Sequence, residues 1–247
     1  MKAAALALAA LILTAGAGAQ RPTLWLVGDS TMADRADAGR NPEHGWGQHL
    51  PHFLDGVTVR NAAANGRSSK SFIDEGRWAA VLAEVRRGDC VLVQFGHNDE
   101  KREDPARHTE PHAGYRTNLR RYVAEARAKG ADVVILSPIV RRRFDARGAL
   151  EDTHGDYPRV AAEVARETGA PFIDLQALSR QLVQDAGVEG SKALFVWLRP
   201  GENAMYPQGR EDDTHLSARG AAEIARLAAD ALRTSGLPIA RHVRPRE

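Results

Sequence analysis

The sequence predicts an α/β protein, a three-layer α/β/α sandwich on a parallel sheet, and three observations carry that prediction. Short apolar, partly β-branched runs at residues 24–27, 90–95 and 133–136 each stop at a glycine or a polar turn, as buried parallel strands do. Segments with apolar residues at helical spacing stand between the strands, and glycines close several of them. Strict strand–helix alternation then implies right-handed crossovers and a sheet covered on both faces.

Taken in order, the first strand ends at Gly28-Asp29-Ser30-Thr31, which delivers Ser30 to a carboxyl end of the sheet, where such folds bind ligands. After a polar stretch to Arg40, Gly45-Trp46-Gly47-Gln48 opens a short helix through Leu50, Phe53 and Leu54. Residues 57–60 alternate as a second strand and end at Asn61. Ile73, Trp78, Val81, Leu82 and Val85 predict one crossover helix before the third strand, which stops at Gly96-His97-Asn98-Asp99. Tyr115, Leu119, Tyr122, Val123 and Ala126 predict the next helix, with Gly130 as its stop before the fourth strand. A helix over 157–168 ends at Gly169, and residues 171–175 form a short fifth strand. The last helix starts at Ser217, an N-cap type, with Ile224, Leu227, Ala228, Ala231 and Leu232 on one face. The proline- and arginine-rich tail after Gly236 reads as a loosely held terminus.

Residues 1–19 read as a secretory signal: Lys2 supplies the positive start, residues 3–13 the apolar run, and Ala17-Gly18-Ala19 the cleavage site. The run is too short for a comfortable membrane span, so no stable membrane insertion is expected. Residues 20–247, about 228 of them, fit one α/β domain, without a repeat or linker, and a monomer is expected. The one cysteine, Cys90, lies in an apolar run, which leaves no internal disulfide and fits export to a periplasm or the medium. With 34 basic and 32 acidic residues the formal net charge is +2, which argues against nucleic acid as the main partner.

A serine nucleophile needs a base, a group that orients the base, and donors for the oxyanion. His215 is the candidate base for Ser30; Asp212, three residues earlier, can accept from its Nδ1–H, and Asp213 competes for that role. Oxyanion donors would be the backbone N–H groups of Ser30 and Gly66 and the side-chain amide of Asn98. Glycine suits position 66 because a Cβ would obstruct the close approach of substrate. Taken singly, each segment also reads as a turn or a helix cap.

Together the four segments resemble the SGNH, or GDSL-like, hydrolase superfamily, whose four block letters fall on Ser30, Gly66, Asn98 and His215. That resemblance implies a flavodoxin-like parallel sheet of about five strands and acyl transfer without a cofactor. Gly45-Trp46-Gly47-Gln48, Gly66-Arg67-Ser68, Phe95-Gly96-His97-Asn98-Asp99, Gly155-Asp156-Tyr157 and Asp213-Thr214-His215-Leu216 further resemble the rhamnogalacturonan acetylesterase group. The likeness implies removal of O-acetyl groups from an acetylated pectic oligo- or polysaccharide. The rivals are a lysophospholipase or thioesterase of the same superfamily and a sugar-binding module that has lost its chemistry.

His97, Trp46 and Arg67 are candidate substrate contacts, His97 lining the pocket beside Asn98 and Trp46, with Trp197, stacking on sugar faces. Arg141, Arg142 and Arg143 form a basic run that would attract uronate carboxylates. No metal site is expected, because Pro111 breaks the helix that His108 and His112 would need.

Overall fold

The structure is a computed structural model that describes residues 21–245; the expected signal segment lies outside the described residues. Strands β1 (Thr23–Gly28), β2 (Thr58–Asn61), β3 (Cys90–Gln94), β4 (Asp132–Leu136) and β5 (Phe172–Ile173) form one parallel sheet in the order β2-β1-β3-β4-β5. That order is the flavodoxin-like one. The strand pleat divides the core in two: Leu24, Leu26 and Leu92 face one layer, while Trp25, Val27, Val91 and Val93 face the other. Helices α1 (Trp46–His49), α6 (Leu175–Gly190) and α7 (Ala218–Arg233) cover the first face. The second face is covered by α2 (Ser69–Asp74), α3 (Arg77–Glu84), α4 (Arg116–Ala128) and α5 (Tyr157–Thr168).

Most elements form where the sequence places them, and the differences have local causes. The single crossover helix expected between β2 and β3 is two helices, because Gly76 takes φ +74° and starts a new axis. The fifth strand is only two residues long, since the Asp174 side chain accepts from the Ala177 N–H and caps α6, claiming Leu175 for the helix. An antiparallel pair, β6 (Phe195–Leu198) and β7 (Arg210–Leu216), stands outside the main sheet. The tail after Gly236 is docked: Ile239 is buried, Val243 bridges to Leu54, and the Arg244 N–H donates to the Phe53 carbonyl at 2.9 Å.

Candidate active site

Ser30 follows β1 at the carboxyl end of the sheet, in a turn built from beneath. The buried Asp29 carboxylate accepts from the Thr31 N–H (2.9 Å) and hydroxyl (2.8 Å). Gln94 donates to the same hydroxyl at 3.0 Å and accepts from the Trp46 indole N–H at 2.6 Å. The start of α1 seats against this turn, the Trp46 N–H donating to the Thr31 carbonyl at 2.9 Å. Only glycine permits that approach: a Cβ on Gly45 would lie 2.1 Å from the Ala33 carbonyl oxygen, and one on Gly47 2.5 Å from that of Met32. Trp46 is therefore not a sugar platform, contrary to the expectation from sequence. It is fully buried, and its indole supports the serine turn.

The candidate base, His215, arrives from β7. Phe195 pairs with Leu216 but Val196 pairs with Asp212, so Asp213, Thr214 and His215 bulge out of the hairpin. A bulge re-aims side chains that a regular strand would alternate. Here it brings His215 Nε2 to 3.1 Å from Ser30 Oγ and His215 Nδ1 to 2.9 Å from Asp212 Oδ2. The Thr214 and His215 N–H groups also donate to Asp212 Oδ1, at 2.9 and 2.8 Å, and Arg210 bonds Oδ2 at 2.5 Å. Burial alone would raise the Asp212 carboxyl, but the His215 ring, the His215 N–H and Arg210 hold it well below the usual carboxylate range. Asp213 faces away, accepting from Arg142 at 2.8 Å and the Trp197 indole at 2.9 Å, so the carboxylate against His215 Nδ1 is that of Asp212.

Ser30, Gly66, Asn98 and His215 line one pocket of about 440 Å³. Among the described residues, the backbone N–H groups of Ser30 and Gly66 donate to no protein acceptor. Asn98 donates to the Arg67 carbonyl at 3.1 Å, which fixes the amide and leaves its second hydrogen free. Gly66 is required by its φ of +74°; a Cβ there would meet only Arg107, at 3.8 Å, so obstruction by the protein is not the reason. The Gly66 and Asn98 loops are bound together by Asp99, whose carboxylate accepts from the Ser69 N–H and hydroxyl and from Thr109. Tyr157 donates to the Asp99 carbonyl at 3.0 Å, which gives the Gly155-Asp156-Tyr157 motif a structural purpose.

Three further expectations need correction. Arg67 does not line the pocket, because its guanidinium folds back onto Glu75 (2.9 Å) and the Asn65 carbonyl (2.7 Å). The arginine run does not act as a unit: Arg141 reaches the pocket and pairs with Glu100, Arg142 is buried on Asp213, and Arg143 pairs outside with Glu151. His97 does line the pocket, but as ring surface, since both its nitrogens are buried and Nδ1 lies 3.4 Å from Asp29 Oδ2. Burial pushes His97 down to about 4 against the pull of Asp29, so the ring is neutral at pH 7. Trp197 lines a separate groove beside Lys192, not the serine pocket.

Arg35, Glu43, Lys101 and Arg210 complete the pocket wall, and sequence reasoning missed all four. Arg35 joins two of the motif segments, donating to the Ser30 carbonyl at 2.9 Å and to the Asn65 side chain. A spacing signal existed only for Arg210, which precedes Asp212 by two on the same strand. Glu43, Asp212 and His215 place metal-ligand atoms within 4.8 Å of one another. Both carboxylates already share the Arg210 guanidinium, which takes the place a cation would occupy. His108 and His112 have different partners, Glu110 and Asp156.

Comparison with known proteins gives the family. The GDSL-like Lipase/Acylhydrolase family model matches residues 26–223. The rhamnogalacturonan acetylesterase RhgT of Bacillus subtilis is 42% identical over 225 residues, 91% of this chain and 95% of its own length. The probable rhamnogalacturonan acetylesterase YesY of the same species is 35% identical over 87% of this chain and 94% of its own. The crystal structure of Bacillus subtilis YxiM superposes with a TM-score of 0.76 at 29% identity, covering 89% of this chain; this chain spans 58% of that one. The acetylxylan esterase Axe2 of Geobacillus stearothermophilus, at 21% identity and a TM-score of 0.59 over 91% of this chain and 97% of its own, shares the fold. The serine turn, the two donor loops and the bulged Asp-x-x-His strand lie within the matched span, and the chain belongs to the GDSL-like lipase/acylhydrolase family of ester hydrolases.

Proposed function

We propose that this chain is a carbohydrate acetylesterase that removes O-acetyl groups from a rhamnogalacturonan-type pectic polysaccharide through an acetyl-enzyme on Ser30. The observation that carries the reading is the relay Ser30 Oγ, His215 Nε2, His215 Nδ1, Asp212 Oδ2, with contacts of 3.1 and 2.9 Å, beside unspent N–H donors. Asp212 keeps the proton on Nδ1, so Nε2 offers a lone pair to the serine hydroxyl. Ser30 Oγ bonds to the acetyl carbonyl carbon as its proton passes to Nε2, and the carbonyl oxygen becomes an anion facing Ser30 N–H, Gly66 N–H and Asn98 Nδ2. Collapse breaks the ester bond, and Nε2–H gives its proton to the departing sugar oxygen. Water then repeats the sequence on the acetyl-enzyme, with His215 as base, and releases acetate.

The 42% identity to RhgT supports the pectic substrate. The pocket wall argues against a long acyl chain, because Arg35, Glu43, Lys101, Arg141 and Arg210 offer charge where a lipid tail would need apolar surface. In this reading the enzyme works as an exported monomer, after removal of residues 1–19, in the periplasm or the medium. Acetate release from acetylated pectin, xylan and chitin oligomers, with acetyl and octanoyl aryl esters alongside, tests it. Ser30→Ala should abolish turnover while leaving the circular dichroism unchanged. Undiminished hydrolysis by that variant, or a preference for octanoyl esters, would refute the proposal.

A further inference from the structure

We propose a second, non-catalytic site at the opposite end of the sheet from Ser30, which binds the carboxylate groups of an acidic polysaccharide chain. A cleft of about 470 Å³ opens where the sheet begins, walled by Arg21, Arg60, Arg86, Arg87 and Arg241. Its floor is the first residues of β1 and β2 and the turn that leads into β3. The volume is that of a ligand site.

Among the described residues, the two carboxylates in the wall form an ion pair with one of these five arginines. Glu84 pairs with Arg60. Asp89 is buried and accepts from the Thr23 N–H (2.9 Å), the Arg86 N–H (3.0 Å) and the Trp25 indole (3.2 Å), so it serves the strand ends. Among the described residues, the exposed guanidiniums of Arg21, Arg86 and Arg87 form no ion pair, although surface arginines elsewhere in this chain commonly do. Arg21, Arg86 and Arg87 therefore stand beside the first residues of the sheet without an ion-pair partner among the described residues.

Guanidinium forks bind carboxylates bidentately, and several in one cleft suit a ligand that presents carboxylates at intervals. The rest of the wall suits sugar. Thr58 exposes a hydroxyl, and the Arg60 guanidinium is seated over the buried Trp25 ring at 5.1 Å, which fixes that charge in the wall. A uronate-bearing glycan meets both requirements. The choice of glycan over another polyanion rests on the pectic reading of the catalytic site. β1 carries the chain from this cleft to Ser30, a separation of roughly 20 Å at the rise of a strand. A long substrate held here would keep its acetyl groups at high local concentration around the serine pocket.

The test measures binding of de-esterified polygalacturonate to the full chain by calorimetry at low salt, with an Arg86→Gln/Arg87→Gln variant for comparison. Both side chains are exposed, so the variant should fold, and circular dichroism verifies it. The double substitution should weaken binding about tenfold. It should also raise the KM for acetylated pectin with kcat unchanged, and leave aryl acetate turnover as it was. The polymer carries no acetyl group, so binding is read independently of which ester Ser30 cleaves. Unchanged polygalacturonate affinity in the variant would overturn the site. Equal affinity of the native chain for duplex DNA at the same ionic strength would overturn the assignment to a glycan, leaving only unselective charge.

Discussion

Replacing Asp212 by Asn tests the relay at its least redundant point. The Oδ1 position already accepts the Thr214 and His215 N–H groups, so an amide oxygen placed there keeps both bonds and the bulge survives. The amide NH₂ then occupies the Oδ2 position, facing His215 Nδ1 at 2.9 Å and the Arg210 guanidinium at 2.5 Å. A donor against Nδ1 favours the tautomer protonated on Nε2, which offers Ser30 a hydrogen where the reaction needs a lone pair. Loss of that orientation costs about 10³–10⁴-fold in kcat, or about 4–5.5 kcal/mol in the barrier. The assay is kcat and KM for an aryl acetate, with Asp213→Asn beside it. Asp213 serves Arg142 and Trp197, so its amide variant should lose less than tenfold. The pH dependence has a defined sign as well. Because the folded Asp212 carboxyl sits below the usual range, its contribution to stability is present above the ordinary carboxylate pKa and fades only as pH falls through the lowered value. Equal losses for the two variants, or a loss under tenfold for Asp212→Asn, would refute the assigned geometry.

Much of the fold was legible because the buried strands announce themselves. Residues 90–94 are buried without a break and read as a continuous apolar run, whatever face each residue takes. The hairpin was not legible for the opposite reason. β7 is Arg-Glu-Asp-Asp-Thr-His-Leu, half-buried and charged, and no propensity marks it as strand. Its conformation is imposed by β6 and by Arg142, whose N–H bonds the Asp213 carbonyl at 2.8 Å while its side chain takes the carboxylate. Helix α6 is a different case. Leu175, Leu178, Leu182 and Val183 follow helical spacing after a capping Asp174, so its signal was present in the sequence.

For the candidate site, the four motif segments converge on one pocket, but they did not separate residues that face it from residues that hold it. Trp46 and Tyr157 belong to the second group; both spend their polar atoms inside the protein, on Gln94 and on the Asp99 and Thr109 carbonyls. Lys101 belongs to the first and Arg35 to both, yet they lie in polar stretches with no spacing that singles them out. The difference is three-dimensional. An arginine beside a motif can fold onto a neighbouring glutamate, as Arg67 does, while one five residues past the serine reaches back to its carbonyl.

Two further predictions separate holding from binding. Trp46→Phe leaves the buried Gln94 carbonyl oxygen without its donor and opens a small void, so it should cost about 2–4 kcal/mol in denaturant unfolding with the KM for acetylated pectin unchanged. A raised KM at full stability would restore the sugar-stacking role. Asp99→Asn addresses pH. Burial raises the Asp99 carboxyl to about 7, against the Ser69 and Thr109 donors that pull it down, so the folded chain holds a proton there that the unfolded chain has released. Between pH 4 and 7 the folded state therefore binds more protons at this position, and the contribution of Asp99 to stability declines as pH rises. Asn retains the Oδ1 acceptor for Ser69 and Thr109 but cannot ionise. The melting temperature of Asp99→Asn relative to the native chain should thus climb from pH 4 to pH 8 in a fluorescence melt. Parallel curves across that range would mean that the carboxylate is ionised throughout, and that Asp99 ties the Gly66 and Asn98 loops as an anion.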